Sequence, residues 1–176
     1  LDPETGEIER FRFNADDPGS LGANGIMTMY EDSAGQVWVG TFGGGISLFD
    51  AETRSFQRFV NDPESATSLS SNRVTSILED ESGRMWIGTD AGGLNLLNTE
   101  NGQFTHFRHD PSDASTLGDD TVYSLNVDAD GGVWVGTRGG GLNRVLGDAT
   151  RPGSISFENI TVADGLANNV VYGIQF

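Results

Sequence analysis

One unit recurs three times along this chain of 176 residues, and its fixed length limits the possible folds more than any other feature. The three tryptophans stand at positions 38, 86 and 134, so that each interval is 48 residues. An aspartate before each tryptophan and a Gly-Thr pair after it keep the same interval: Asp32, Asp80 and Asp128; Gly40-Thr41, Gly88-Thr89 and Gly136-Thr137. Such a period is typical of an array of similar supersecondary units.

Within one period, four short apolar segments are separated by polar turns. In the second copy the segments read VTSILED, RMWIGT, GLNLLN and GQFTHF. No segment keeps a 3.6-residue period over several turns, which argues against helices. Met85, Trp86 and Ile87 are apolar on consecutive residues, as expected for a strand that is buried on both faces. The sequence therefore predicts an all-β fold, a β-propeller segment of four-stranded antiparallel blades.

The number of units is too small for a closed ring. We expect three complete blades at about 26–60, 73–109 and 121–160, with a lone outer strand at about 8–12 and a lone inner strand at about 169–176. Propellers close with about 4–8 blades. The chain also begins at Leu1 rather than Met and ends inside an apolar run. We therefore expect a piece of a longer protein, whose partners are the remaining propeller blades or further copies of the chain.

Composition excludes several classes of function. The formal net charge is −16, and all ten basic residues are arginines. Binding to nucleic acid or to an anionic membrane requires a basic surface, so we predict neither for this segment. The absence of cysteine removes thiolate chemistry and zinc–thiolate sites. The two histidines, His106 and His109, form no recognisable catalytic or metal-binding pattern, and we predict no enzyme activity, no metal and no cofactor.

One position varies sharply inside an otherwise constant turn. The residue after Gly-Thr is Phe42, Asp90 or Arg138 in the three copies. An aromatic ring, a carboxylate and a guanidinium are groups that a sugar or uronic acid can use, so these residues are candidate ligand contacts. The alternative is an exposed turn position under no constraint. We expect the long loops between the units to share one rim of the propeller with this turn. Asn72 and Asp120, at the ends of these loops, are further candidates, with a purely structural role as the alternative.

The repeated motif resembles a known family, the two-component regulator propeller repeat. The shared pattern is EDxxGxxWxGTxxGG, and the third copy departs from it at Val127, where the others have glutamate. The tail DGLANN, residues 164–169, is similar to the DGLxxN loop that joins blades in this family. The pattern stands here as Glu31-Asp32, Gly35, Trp38, Gly40-Thr41 and Gly44-Gly45; Glu79-Asp80, Gly83, Trp86, Gly88-Thr89 and Gly92-Gly93; and Asp128, Gly131, Trp134, Gly136-Thr137 and Gly140-Gly141.

The resemblance implies a function that the spacing itself does not show. Such repeats are found mostly in periplasmic sensor regions of membrane-bound, often hybrid, histidine kinases, many of which respond to oligosaccharides. It implies a periplasmic, ligand-sensing segment of an inner-membrane protein, with a carbohydrate as a possible ligand and the kinase outside this segment. Two alternatives stay open, a free-standing propeller enzyme such as a lyase and a protein-interaction scaffold.

Overall fold

The structure, a computed structural model, describes residue 6 and residues 8–176. Within these residues, consecutive strands form three four-stranded antiparallel sheets, which we call blades 1, 2 and 3. This architecture confirms the predicted fold. The strands are β1 Ile26–Glu31, β2 Val37–Thr41, β3 Ile46–Asp50 and β4 Ser55–Phe59; β5 Val74–Glu79, β6 Met85–Thr89, β7 Gly93–Asn98 and β8 Gln103–Phe107; and β9 Val122–Val127, β10 Val133–Thr137, β11 Leu142–Leu146 and β12 Ser156–Ile160. Two short 3-10 turns are Pro152–Ser154 and Val162–Asp164.

The blades pack face to face through two apolar layers. The buried layer between blades 1 and 2 consists of Trp38, Ile46, Leu69, Val74, Ile77, Met85, Ile87, Leu97 and Phe104. The layer between blades 2 and 3 includes Leu78, Trp86, Leu94, Leu96, Phe107, Leu117, Val122, Val133, Val135 and Phe157. Blade 2 therefore buries both of its faces. Removal of this apolar surface from water is the main force that holds the blades together.

The glycine of each Gly-Thr pair permits close approach of successive blades. A Cβ atom added at Gly40 would lie 2.6 Å from Cγ1 of Val74, and one at Gly88 would lie 2.5 Å from Cγ1 of Val122. Val74 and Val122 begin the inner strands of the following blades. Any larger residue at Gly40 or Gly88 would push two blades apart, and this explains why the glycine recurs.

The aspartate of each copy closes a turn and anchors the tryptophan. Oδ1 of Asp80 accepts hydrogen bonds from two backbone N–H groups of the turn at 2.9 and 3.2 Å, and Oδ2 accepts one from Nε1 of Trp86 at 2.8 Å. The same bonds are made by Asp32 and Asp128. Burial alone would raise the pKa of Asp80, but the bonds from Trp86 and Arg84 outweigh it, and the pKa lies below its ordinary value.

The two flanking segments belong to none of the three sheets. Residues 8–12 and 169–176 have no strand paired with them among the described residues, although the backbone N–H of Val171 donates to the carbonyl oxygen of Thr137 at 2.9 Å, so the lone strands stay a prediction. Both segments nevertheless lie against the end blades. The Phe11 ring packs 5.0 Å from that of Phe49, and the Tyr172 ring stacks 4.8 Å from that of Tyr123. Each segment thus covers part of an end face without forming a sheet.

Blade 3 departs from the other two at its outer turn. The turn between β11 and β12 spans residues 147–155, whereas the equivalent turns of blades 1 and 2 span only 51–54 and 99–102. Ala149, in the first half of the longer turn, is buried in the layer between blades 2 and 3. The longer turn therefore adds one residue to the apolar core, while most of its other residues are exposed.

Candidate functional site

The antiparallel pairing places the two sets of turns at opposite edges of the blades. The turns at residues 42–45, 90–92 and 138–141 share one edge with the long loops that lead into each blade, and we call this edge the glycine rim. The turns that contain Asp32, Asp80 and Asp128 lie at the other edge, the aspartate rim, together with the outer turns 51–54, 99–102 and 147–155.

The constant residues of the glycine rim have structural tasks. Thr41 is fully buried, and its Oγ1 donates to the carbonyl oxygen of Gly45 at 2.9 Å and accepts from the amide of Gly44 at 3.1 Å. The equivalent threonines of blades 2 and 3 donate the same bond, Thr89 to Gly93 and Thr137 to Gly141. These bonds fix the shape of the turn, so the residue that follows each threonine is held in a defined position whatever its side chain.

The three variable residues occupy equivalent places directly after β2, β6 and β10, beside the residues that precede the inner strands. The backbone N–H groups of Phe42, Asp90 and Arg138 donate to the carbonyl oxygens of residues 25, 73 and 121 at 2.8, 2.9 and 3.0 Å. Phe42 is 53% exposed, Arg138 is exposed and Asp90 is half-buried. Their side chains therefore vary at a fixed backbone position on the surface.

Arg73 brings two of the predicted residues together. Its guanidinium lies over the ring of Phe42, 5.4 Å from the centroid, and its Nη1 lies 3.0 Å from Oδ2 of Asp90. The other carboxylate oxygen of Asp90 accepts from Oγ1 of Thr121 at 3.3 Å. The group of Phe42, Arg73, Asp90 and Thr121, here called the rim cluster, thus draws on all three blades. Arg138 touches the cluster through its backbone N–H, which donates to the carbonyl oxygen of Thr121, and its side chain makes no hydrogen bond or ion pair with the other described residues of the cluster.

Sequence reasoning missed Arg73. The equivalent positions carry Gly25 in blade 1 and Thr121 in blade 3, so this position varies as much as the one after Gly-Thr. That variation was the available signal. The two positions are also hydrogen-bonded to each other in each blade, and they form a pair of variable residues on one rim.

Asn72 and Asp120 hold the backbone of the rim. Oδ1 of Asn72 accepts from the amide of Asn61 at 2.7 Å, and its carbonyl oxygen accepts from the amide of Gly45 at 3.0 Å. Oδ1 of Asp120 accepts from the amide of His109 at 2.8 Å. Each residue thus closes the loop before its own blade and ties down the glycine turn of the blade before it. This structural role accounts for both residues, and a role in ligand binding stays a prediction.

The two histidines also bond to backbone carbonyls. Nε2 of His106 lies 2.6 Å from the carbonyl oxygen of Ser68, and Nδ1 of His109 lies 2.8 Å from that of Leu117. Arg58 occupies the position of His106 in blade 1 and donates to the carbonyl oxygen of Ser20 at 2.6 Å. His106 and Arg58 therefore hold the long loops against the outer strands of their blades, and His109 closes its own loop.

The described residues contain neither a metal-binding cluster nor a helix that could span a membrane. No group of three or more His, Cys, Asp and Glu side chains converges in a way that could hold a metal ion. In the same part of the chain, no helix has the length and apolar character needed to cross a membrane.

Comparisons with known proteins agree on the kind of repeat. The sequence profile of the family described as "Two component regulator propeller" matches residues 20–43, 68–91 and 116–139. Each match covers a long-loop end, an inner strand, the aspartate turn, the tryptophan strand and the start of the glycine turn. A comparison with curated protein sequences gives no significant match.

Solved structures agree on the fold. The extracellular domain of BT3049, described as a hybrid two component system of B. thetaiotaomicron, matches with a TM-score of 0.73 and 22% identity over 92% of this chain and 22% of that one. The extracellular domain of BT4673 from the same organism, also described as a hybrid two component system, matches with a TM-score of 0.66 and 23% identity over 89% and 20%. The chain spans about a fifth of the length of these structures. It is an arc of three β-sheet blades that carries three copies of the two-component regulator propeller repeat.

Proposed function

We propose that this arc is a ligand-sensing segment of the extracytoplasmic region of a two-component sensor histidine kinase, and that its ligand is an oligosaccharide. The repeat and the fold support this proposal, because the solved structures of similar fold are extracellular domains of two component systems. The segment itself takes no part in phosphoryl transfer. Its place in the protein is periplasmic, where it meets the ligand.

The rim cluster is the observation that carries the proposal. Phe42 offers an exposed apolar face, while Arg73 and Asp90 offer charged hydrogen-bonding groups beside it. None of the three is needed to close the glycine turn, which the buried threonines and glycines shape. A ring-shaped ligand with hydroxyl or carboxylate groups can stack on Phe42 and bond to the polar pair.

The position of the cluster also suggests how binding becomes a signal. The contacts run from Phe42 in blade 1 through Arg73 and Asp90 in blade 2 to Thr121 in blade 3. A ligand bound here touches more than one blade and therefore favours one relative arrangement of them. It shifts the equilibrium of the sensor only by as much as it binds that arrangement better than the other.

Binding to the purified 176-residue chain tests the proposal. The probes are cellohexaose, as a neutral oligosaccharide, and hexagalacturonate, as an acidic one, and the method is isothermal titration calorimetry. We expect one of them to bind and Arg73→Ala to weaken binding roughly tenfold or more, since charge-assisted hydrogen bonds are lost. Glu52→Ala, an exposed change on the aspartate rim, is the matched control. Unchanged binding by Arg73→Ala, or no binding of either probe, would contradict the proposal.

The cellular location is tested separately in the parent organism. We expect protease added to spheroplasts to remove the segment from an intact, membrane-associated parent protein. Protection of the segment under conditions that degrade a known periplasmic protein would exclude the proposed location.

A further inference from the structure

A cleft of about 350 Å³ lies on the aspartate rim between blades 1 and 2, on the side opposite to the rim cluster. Its floor includes Trp38 and Phe59, and its walls carry Gln36 and Gln57 from blade 1 and Glu100 from the outer turn of blade 2. This volume falls at the lower end of the range for small-molecule sites, which is about 300–1,000 Å³. The cleft is thus large enough for one or two sugar rings.

At the equivalent place in front of blade 1, an arginine covers the aromatic ring. Phe11 precedes Phe59 by one period, and Arg54 likewise precedes Gly102. The guanidinium of Arg54 lies over the ring of Phe11, 5.9 Å from its centroid. In the cleft, Gly102 stands at the place of Arg54, and a Cβ atom there would already lie 3.3 Å from Cε1 of Phe59. The glycine therefore leaves the ring of Phe59 open, where the earlier copy covers it.

At the junction between blades 2 and 3 the equivalent ring is buried by other means. Phe107 follows Phe59 by one period and is only 9% exposed. It belongs to the same buried layer as Ala149 of the extended outer turn. A larger but more open depression remains outside that turn, and there Arg84 is held by Asp80 at 2.8 Å. The described residues contain three such junctions, at Phe11, Phe59 and Phe107. At Phe59 the aromatic ring is half-buried, and the turn residue above it, Gly102, has no side chain to cover it.

The polar walls of the cleft indicate the chemistry of its occupant. The side chains of Gln36, Gln57 and Glu100 are exposed and make no hydrogen bond to any other described residue. An amide group both donates and accepts, and a carboxylate accepts, which suits the hydroxyl groups of a sugar. None of the residues lining the cleft is cationic, and the net charge of the chain is −16. An anionic ligand is therefore disfavoured here.

We propose that the cleft beneath Gly102 binds a neutral oligosaccharide, with a sugar ring against Phe59 and Trp38 and its hydroxyl groups on Gln36, Gln57 and Glu100. This site is distinct from the rim cluster and lies at the other edge of the blades. It rests on different residues, so either site can fail without the other.

The experiment is a titration of the isotopically labelled 176-residue chain with cellohexaose, xylohexaose, mannohexaose and arabinohexaose, followed by NMR. Hexagalacturonate of the same length is the anionic comparison. We expect at least one neutral hexasaccharide to shift the backbone amide of Gly102 and the side-chain amides of Gln36 and Gln57. The proposal is overturned if no neutral probe at 10 mM, roughly ten times a weak millimolar affinity, moves these signals, or if hexagalacturonate binds there more tightly.

Variants separate binding in the cleft from binding elsewhere. Gly102→Arg copies the arrangement seen at Arg54, which tolerates a φ of +57° against +71° at Gly102. We expect it to lower the affinity at least tenfold while thermal unfolding still shows a folded chain. Gln57→Ala removes one wall group without touching the backbone and should lower the affinity about fivefold. Thr105→Ala, the equivalent position one period later, should leave it unchanged.

Each result of the variant series decides the question. Unchanged affinity in a folded Gly102→Arg variant would overturn the proposal. If that variant fails to fold, Gln57→Ala decides, and equal losses in Gln57→Ala and Thr105→Ala would also overturn it. Shifts confined to residues 42, 73 and 90 would assign the sugar to the rim cluster and leave the cleft without a ligand.

Discussion

The face of blade 1 that packs against blade 2 and the corresponding face of blade 3 have the same backbone fold but different side chains. In blade 1 the tryptophan is flanked by Tyr30 and Leu48, which pack against blade 2. At the equivalent positions blade 3 carries Asn126 and Arg144. The guanidinium of Arg144 lies 5.4 Å from the centroid of the Trp134 ring, and Asn126 donates to the carbonyl oxygen of Ile174 at 2.9 Å. Blades of the same fold can therefore present either an apolar or a polar face.

This difference separates the residues that stabilise every blade from those that determine what can pack against its face. The aspartate, tryptophan, glycine and threonine positions are the same in the three copies. The aspartate bonds to the tryptophan and the threonine closes the glycine turn within one blade, while the glycine permits the close approach of the next blade. The residues that pair with the tryptophan on the neighbouring strands decide what can lie against the face; they are Tyr30 and Leu48 in blade 1 and Asn126 and Arg144 in blade 3. We therefore expect the polar face of blade 3 to pack less tightly than the two described layers.

Truncation of the tryptophans should give the largest effect and tests the comparison directly. Trp86 is 1% exposed between blades 2 and 3, so Trp86→Ala leaves a large cavity and should lower the free energy of unfolding by about 3–5 kcal/mol. Trp134 on the polar face is only half-buried, and Trp134→Ala should lower it by about 1 kcal/mol. Urea unfolding at pH 7 measures both. Equal losses would mean that the two faces are equally well packed.

Loss of the buried aspartate should have the next largest effect. Asp80→Asn replaces an ionised acceptor of several hydrogen bonds and should lower the free energy of unfolding by about 1.5–3 kcal/mol at pH 7. The pKa of Asp80 is lower in the folded chain than in the unfolded one. Its contribution is therefore complete above the unfolded value of 3.8 and is lost as the pH falls through the folded pKa.

Urea unfolding between pH 6 and pH 3 checks this prediction. The gap between wild type and Asp80→Asn should narrow toward the acid end, because protonation removes the advantage of the carboxylate. Asp130→Asn, a change at an exposed position in the corresponding turn of blade 3, is the control and should follow the wild type. A gap that is independent of pH would show that the charge of Asp80 does not contribute.

The smallest effect on stability is expected from the residue that makes the face polar. Arg144→Leu restores the residue type of positions 48 and 96 and should change the free energy of unfolding by no more than about 0.5 kcal/mol. It enlarges the apolar area of the face and should increase self-association. Sedimentation velocity at several concentrations measures this, with Arg151→Leu on the exposed outer turn as the control. Equal behaviour of the two variants would refute a role of Arg144 in keeping the face polar.

The sequence predicted those parts of the fold that depend on contacts within one repeat. The type of fold and the strand pattern could be read from the period, the turn residues and the apolar segments, since these act locally. The flanking strands at 8–12 and 169–176 stay a prediction, because a strand depends on a paired neighbour and the three sheets do not include these segments. Residues 1–5 and 7 lie outside the described part of the chain.

The candidate sites were less accessible to prediction for a related reason. Phe42 and Asp90 stood out as variable residues, but Arg73, in the same blade as Asp90, joins it to Phe42 of the blade before, and a contact between blades is not visible in a single repeat. The cleft depends on Gly102 in place of the Arg54 of the copy before it. That exchange has meaning only when Phe59 is known to lie below the turn.

The joints between blades, which we define as Asn72, Asp120 and Asn169, have a consequence for how such proteins change in evolution. Each joint accepts a bond from its own loop and another from the glycine turn of the preceding blade, and the third does so although its loop is shorter. Unequal recombination at equivalent positions of two repeats therefore adds or removes one whole blade, and every joint keeps its hydrogen bonds. Ring size can grow or shrink in single steps, while insertions within a blade are accommodated at the outer turn.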